Sequence, residues 1–208
     1  MKLKLLLGTI LLSLILVAGC SLIKENCSKI ENLDDRDECY VNNAKNAKSI
    51  LVCNNINDKR TLAYCYTLVA EAKKDESICN TLQTDKYWTD ICYKKVAEAK
   101  KDPSLCAKLP SGTNKDDCYN NIALSASKPE LCKDINKESL MLECIYTIAL
   151  ERENPQICAV YMPSYEYFLN KAICYKKIAV KTKDISICDH ITVDIIKNNC
   201  IEEINEMS

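Results

Sequence analysis

The chain has 208 residues but only three glycines, one histidine, one tryptophan and one phenylalanine. Gly8 and Gly19 both fall in the first twenty residues, so Gly112 is the single glycine for everything that follows. Tight β-hairpin turns rely on glycine and Asn-Gly pairs, which argues against an all-β fold. Phosphate-cradling loops need several glycines close together, and no such stretch exists. His190 is the only histidine and no motif surrounds it, so a histidine-dependent hydrolase has little to stand on, and a solvent-facing position on the last short helix is the expectation for that residue. Charge of one sign is also missing. The formal net charge is −1, or −3 once Lys2 and Lys4 leave with the leader, and no segment is strongly basic, so nucleic-acid binding has no electrostatic support.

Cysteine is what the sequence has in excess, with 15 residues. From Cys39 onward the gaps alternate. Cys39–Cys53, Cys65–Cys79, Cys92–Cys106, Cys118–Cys132, Cys144–Cys158 and Cys174–Cys188 are each 14 apart, with 12, 13, 12, 12, 16 and 12 between them, and Cys27–Cys39 is also 12. Apart from Cys20 and Cys27, no two cysteines are closer than 12 positions, and no Cys-x-x-Cys occurs. Zinc, haem-attachment and thiol-redox motifs all need shorter spacings, so no metal or cofactor is expected. Structural disulfides in an oxidising exterior compartment explain the pattern.

Aligning on alternate cysteines exposes a repeat of about 26 residues. Cys65-Tyr66-Thr67-Leu68-Val69-Ala70 matches Cys92-Tyr93-Lys94-Lys95-Val96-Ala97, Cys118-Tyr119-Asn120-Asn121-Ile122-Ala123 and Cys174-Tyr175-Lys176-Lys177-Ile178-Ala179, with looser copies from Cys39 and Cys144. Apolar residues at positions 0, 1, 4 and 5 from the cysteine make one helical stripe, and the alanine leaves room for a neighbouring helix. Asp102-Pro103 and Asn154-Pro155 then place a capping side chain before a proline at the first helical position, and Asp75 and Asp184 cap without it. A second helix of about two turns follows, with an aliphatic residue just before its cysteine and another apolar residue three positions after it. The expectation is an all-α, solenoid-like array of about seven short helical hairpins. The longer unit and Trp-Leu-Gly signature of tetratricopeptide repeats are absent.

Two regular pairings compete. Bridging the 14-residue gaps leaves Cys27 and Cys200 unpaired. Bridging the shorter gaps joins Cys27 to Cys39, Cys53 to Cys65, Cys79 to Cys92, Cys106 to Cys118, Cys132 to Cys144, Cys158 to Cys174 and Cys188 to Cys200, leaving Cys20 alone. Helix levels favour the second scheme: Cys106 and Cys118 both sit about 5 Å from the loop between their helices, whereas Cys92 and Cys106 are staggered. A stagger added to the separation of the helix axes strains a bond that wants Cα atoms within about 6.8 Å.

The leader accounts for Cys20. Met1-Lys2-Leu3-Lys4 is followed by an apolar run from Leu5 to Val17 and then by Val17-Ala18-Gly19-Cys20. The run is shorter than the ~20 residues of a membrane-spanning helix, and no basic cluster follows it. These residues resemble the lipobox of prokaryotic lipoproteins. The resemblance implies a signal peptide over 1–19, a diacylglycerol joined to the Cys20 sulfur by a thioether, and anchorage on the outer side of the cell membrane or another envelope membrane. A tether over 20–26 then leads into a repeat domain over 27–208.

Candidate chemistry beyond this is sparse. The pairs Asp34-Asp35 and Asp116-Asp117 precede helix cysteines and are expected to act as acids near helix N-termini. The recurring Tyr40, Tyr66, Tyr93, Tyr119 and Tyr175 read as packing residues. The repeat breaks at two aromatic insertions. One, Tyr161 to Phe168, contains Tyr165, Tyr167 and Phe168, and the other contains Trp88. Aromatics in loop insertions suit partner contacts, and a local hydrophobic cluster is the competing reading. The expectation is a non-catalytic protein- or peptide-binding or scaffold lipoprotein, with a structural envelope component as the alternative and a small-ligand receptor or enzyme behind it. Mature protein should begin at an acylated Cys20, and Cys20→Ser should leave it unprocessed or released. Intact mass showing residues 1–19 retained on the unmutated protein would contradict the leader reading.

Overall fold

Each repeat is built on two helices of unequal length. A computed structural model describes residues 26–162 and 165–207, so the leader and Cys20 lie outside it. Among the described residues there are seven long helices: α1 Leu33–Ala47, α2 Lys59–Lys73, α3 Lys86–Lys100, α4 Thr113–Ala126, α5 Glu138–Glu151, α6 Phe168–Thr182 and α7 Asp194–Glu206. Each is preceded by a short segment: B1 Cys27–Lys29, B2 Ile50–Cys53, B3 Glu76–Leu82, B4 Pro103–Ala107, B5 Pro129–Asp134, B6 Gln156–Tyr161 and B7 Ile185–His190. No strand occurs among the described residues. The chain divides within α2, between Cys65 and Tyr66, into two compact units.

The short segments are tighter than the two α-turns that their sequences suggest. B1, B3, B5 and B7 are 3₁₀-helices, and the other three are brief α-turns. Both kinds share one closing bond. The amide three residues after the cysteine returns to the cysteine carbonyl at Ile30–Cys27, Ile56–Cys53, Leu109–Cys106, Ile135–Cys132 and Ile191–Cys188, over 2.9 to 3.2 Å. Residues i and i+3 eclipse in such a turn, so the cysteine and the aliphatic residue share one face. Ile56, Leu109, Ile135 and Ile191 are accordingly buried with their cysteines.

In the long helices the stripe at 0, 1, 4 and 5 is the buried face. Ala44, Ala70, Ala97, Ala123, Ala149 and Ala179 are completely enclosed, as are Val69, Val96, Ile122, Ile148 and Ile178. All seven disulfides join a short segment to the long helix that follows it, in the short-gap pairing, with Cα separations of 5.5 to 6.1 Å. Cys158–Cys174 spans its longer insertion with the same geometry as the rest.

The turn from each long helix into the next short one uses no glycine. Lys48, Lys74, Lys101, Ser127, Glu153 and Lys183, each nine residues after a helix cysteine, adopt left-handed backbone angles with φ of 49° to 56°. The next residue then donates its amide to the enclosed alanine's carbonyl: Ser49 to Ala44, Asp75 to Ala70, Asp102 to Ala97, Lys128 to Ala123, Asn154 to Ala149 and Asp184 to Ala179, over 2.8 to 3.0 Å. This is the Schellman closure. The same residue opens the next segment. Asp75, Asp102 and Asp184 each accept the amide and hydroxyl of a serine two residues on, and Asn154 accepts the amide of Gln156. Those serine bonds hold the carboxyls of Asp75 and Asp102 below the usual carboxylate range. One residue ends one helix and starts the next, leaving no linker between them.

Within the unit that starts at Tyr66, residues about one repeat apart meet. Lys94 pairs with Asp117 at 3.0 Å, and Asn121 donates to Glu98 at 2.7 Å. The left-handed Lys101 extends its ammonium to the carbonyl of Ser125, 2.7 Å away in the last turn of α4. Asp116 departs from its expected role as a simple helix-end acid. It is buried, and its carboxylate accepts the backbone amides of Asn136 and Lys137 and the Asn136 side chain at 3.0 to 3.2 Å. Asp116 thereby fixes the entry into α5, which has no side-chain cap of its own.

The non-glycine turns generate a stability test. A left-handed residue with a Cβ costs about 1–2 kcal/mol, partly offset by glycine's greater freedom when unfolded. Lys74 makes no side-chain bond of the Lys101 kind among the described residues. Lys74→Gly should therefore raise stability by about 0.5–1 kcal/mol in denaturant unfolding, while Lys101→Gly should gain less because it also gives up the Ser125 contact. Equal gains at both positions would show that the lysine-to-carbonyl bond contributes nothing.

Candidate functional site

Opposite its buried stripe, each long helix presents the residues one before and two, three and six after its cysteine. Between α3 and α4 most of these positions are polar, Ile91 being an exception, and they are bridged by Lys94–Asp117 and by Asn121–Glu98. Between α6 and α7 the Lys176 bridge is kept but the surface beside it becomes aliphatic. Ile173 and Val180 on α6 face Ile195 and Ile196 on α7 across a groove of about 610 Å³. Val180 stands where α3 has Glu98, and Ile195 and Ile196 stand where α4 has Thr113 and Asn114. Ile195 is 83% exposed and Ile173 39% exposed, and Leu169, one turn before Ile173, is exposed as well.

Three lysines of α6 edge this apolar surface. Lys176 crosses to α7, pairing with Glu203 at 2.7 Å and donating to Asn199. Lys181 leans the other way, donating to the Leu150 carbonyl at 2.7 Å and pairing with Glu153 at 3.4 Å. Lys177 is exposed and sits 5.2 Å from the centre of the Tyr146 ring, with no carboxylate partner among the described residues. Tyr146 donates its hydroxyl to the Asn170 carbonyl at 2.7 Å, and burial pushes its phenol above the ordinary value. The groove is thus aliphatic along its floor and cationic on its α6 side.

The aromatic insertions lie elsewhere. Trp88 is half-buried in the first turn of α3, edge-on to Tyr87 with ring centres 5.4 Å apart. Tyr167 and Phe168 are half-buried at the start of α6, and Tyr165 lies in the turn before them, its side chain outside the described set. The α4 and α5 hairpins separate Trp88 from the α6 group in chain order, so the two insertions belong to different hairpins. Of the recurring tyrosines, Tyr119 and Tyr175 are buried and Tyr40, Tyr66 and Tyr93 are half-buried, and the Tyr93 hydroxyl donates to Asn80 at 2.8 Å. His190 is exposed, with its ring 5.6 Å from that of Tyr175.

Among the described residues no group of His, Cys, Asp and Glu side chains is arranged to hold a metal ion. None of the described helices is long and apolar enough to cross a membrane. Comparison with protein-family models, with curated proteins and with solved structures finds no match for this chain. The groove residues went unnoticed in the sequence because a single isoleucine on a helix is unremarkable. The signal was available in the alignment of repeats, where Glu98, Thr113 and Asn114 give way to Val180, Ile195 and Ile196 in the last two long helices.

Proposed function

We propose that this protein is a lipid-anchored, extracytoplasmic binding lipoprotein without catalytic activity, and that the α6–α7 groove receives an amphipathic helical segment of a partner protein. The observation that carries the reading is the aliphatic surface between these two helices, where Val180, Ile195 and Ile196 stand in place of Glu98, Thr113 and Asn114 beside a retained Lys176 bridge. A third helix laid on two others buries an apolar stripe at spacings of three and four residues, which is the geometry that a groove between parallel ridges offers. Lys177 selects a partner with an acidic residue flanking that stripe, since it has no carboxylate partner among the described residues. The variation between repeats supports binding over a coat role, because a coat of identical units has no reason to vary its outer face at one end. Cys20 would hold the array at the membrane, where the partner meets it.

The test is a photo-crosslinking residue placed at position 195 in intact cells, with position 45 on α1 as the control. The expected result is one partner segment, captured at 195 alone, whose sequence shows an apolar stripe with acidic flanks. A synthetic peptide of that segment should bind the purified chain and lose about 30-fold or more in affinity on the paired change Ile173→Glu and Ile195→Glu, equivalent to about 2 kcal/mol. Capture of a second copy of the chain or of lipid at 195, or unchanged peptide affinity in the folded double variant, would replace this reading.

A further inference from the structure

We propose a second binding site, in the unit that ends at Cys65: a socket for an alkylammonium group, centred on Asp37. Repeat register supplies the internal control. Asp37 and Asp116 both stand two residues before a long-helix cysteine, and both are buried, 7% and 5% exposed. Asp116 shows what a carboxylate at this position requires, since it takes three donors from residues 136 and 137. The equivalent residues for Asp37 are Asn57 and Asp58, and neither reaches its Oδ1, which is buried with no hydrogen-bond partner among the described residues. Asp58 is instead turned to its own helix, accepting the amide and hydroxyl of Thr61 at 2.8 and 2.9 Å. A buried carboxylate oxygen without a donor is costly, by about 1–3 kcal/mol or more.

That oxygen belongs to a residue lining a cavity of about 340 Å³, together with Asp34, Glu38, Val41, Thr61 and Tyr64. Three carboxyl groups therefore surround one opening. Among the described residues, no lysine or arginine forms an ion pair with any of them. They are not arranged as metal ligands. The wall is mixed, with Val41 buried and the Tyr64 ring partly exposed. A cation with a hydrocarbon stem satisfies all of these features together. Its methylenes lie along Val41 and the ring, its ammonium donates to Asp37, and Asp34 and Glu38 add attraction at the mouth. The chemistry is that of a lysine side chain on a polypeptide or of a free aliphatic diamine. It is independent of the α6–α7 groove, and neither proposal rests on the other.

The test is titration of the folded, oxidised mature chain with N-acetyl-lysine-N-methylamide and, separately, with 1,5-diaminopentane, followed by amide and methyl shifts in NMR. Either probe should move Val41, Thr61 and Tyr64, and the tighter of the two identifies the source. Asp37→Asn should weaken binding about tenfold or more, and Asp34→Asn and Glu38→Gln should each weaken it less. Asp37→Leu, which removes the unmet acceptor, should unfold at no lower temperature than the parent without amine, whereas Asp116→Leu should be clearly destabilised. Three results would overturn the proposal. They are no shifts with either probe at tens of millimolar, unchanged affinity in a folded Asp37→Asn chain, or binding seen only after Lys24→Gln. The last would assign the socket to the chain's own tether.

Discussion

The disulfide between each short segment and the long helix after it is the constraint on which the rest depends. A helix of three to seven residues cannot persist alone, because nucleation costs more than so few hydrogen bonds return. Each bridge closes a loop of twelve to sixteen residues, and a closure of that length is worth on the order of 3 kcal/mol. It also sets the level at which the segment meets its helix. The 3₁₀ turn then carries the aliphatic residue three positions on to the same face as the cysteine, so the bridge and the core residue are buried together. The enclosed alanines complete the arrangement by letting backbones approach where larger side chains would hold them apart.

The second constraint is the linkerless turn. In six places a left-handed residue is followed by one whose amide closes the helix behind it, and in four of these its side chain also caps the segment ahead. Lysine at the left-handed position is locally unfavourable. At Lys101 and Lys183 the long side chain reaches a carbonyl in the next long helix or just past its end, which glycine could not do. Local strain is exchanged for a contact between repeats. This accounts for a repeat protein that works with almost no glycine.

Much of this was legible in the sequence, and for specific reasons. Cysteine parity and helix levels led to the pairing, because a disulfide tolerates little error in Cα separation. The stripe at 0, 1, 4 and 5 led to the buried face, because enclosed alanines and β-branched residues recur without exception in the good copies. The 3₁₀ character of four short segments was not legible, since an apolar pair at −1 and +3 fits an α-turn as well as a 3₁₀ turn. The left-handed lysines were hidden for a related reason: the residue type that marks such turns is glycine, and it is absent. Asp116 looked like a helix-end acid because its partners, Asn136 and Lys137, lie twenty residues away in sequence. Trp88 and Phe168 stood out as the single tryptophan and phenylalanine, and Tyr167 for its place in the insertion, whereas the groove is made of common residues and emerges only when α6 and α7 are set against α3 and α4.

Function follows from this division of labour. A stapled, evenly repeated interior leaves the outer positions of each helix free to vary, as the aliphatic groove at α6–α7 does, while the proposed socket rests on a buried position, Asp37, that is left without the partners its counterpart Asp116 has. Both require that each short segment be locked to the helix after it, since the other pairing would move every outer position. Non-reducing peptide mapping of the mature chain by mass spectrometry tests this most directly. It should recover Cys79–Cys92, Cys106–Cys118 and Cys158–Cys174 as linked pairs. Recovery of Cys92–Cys106 or Cys118–Cys132 as the main species would contradict the hairpin, and with it both proposed sites.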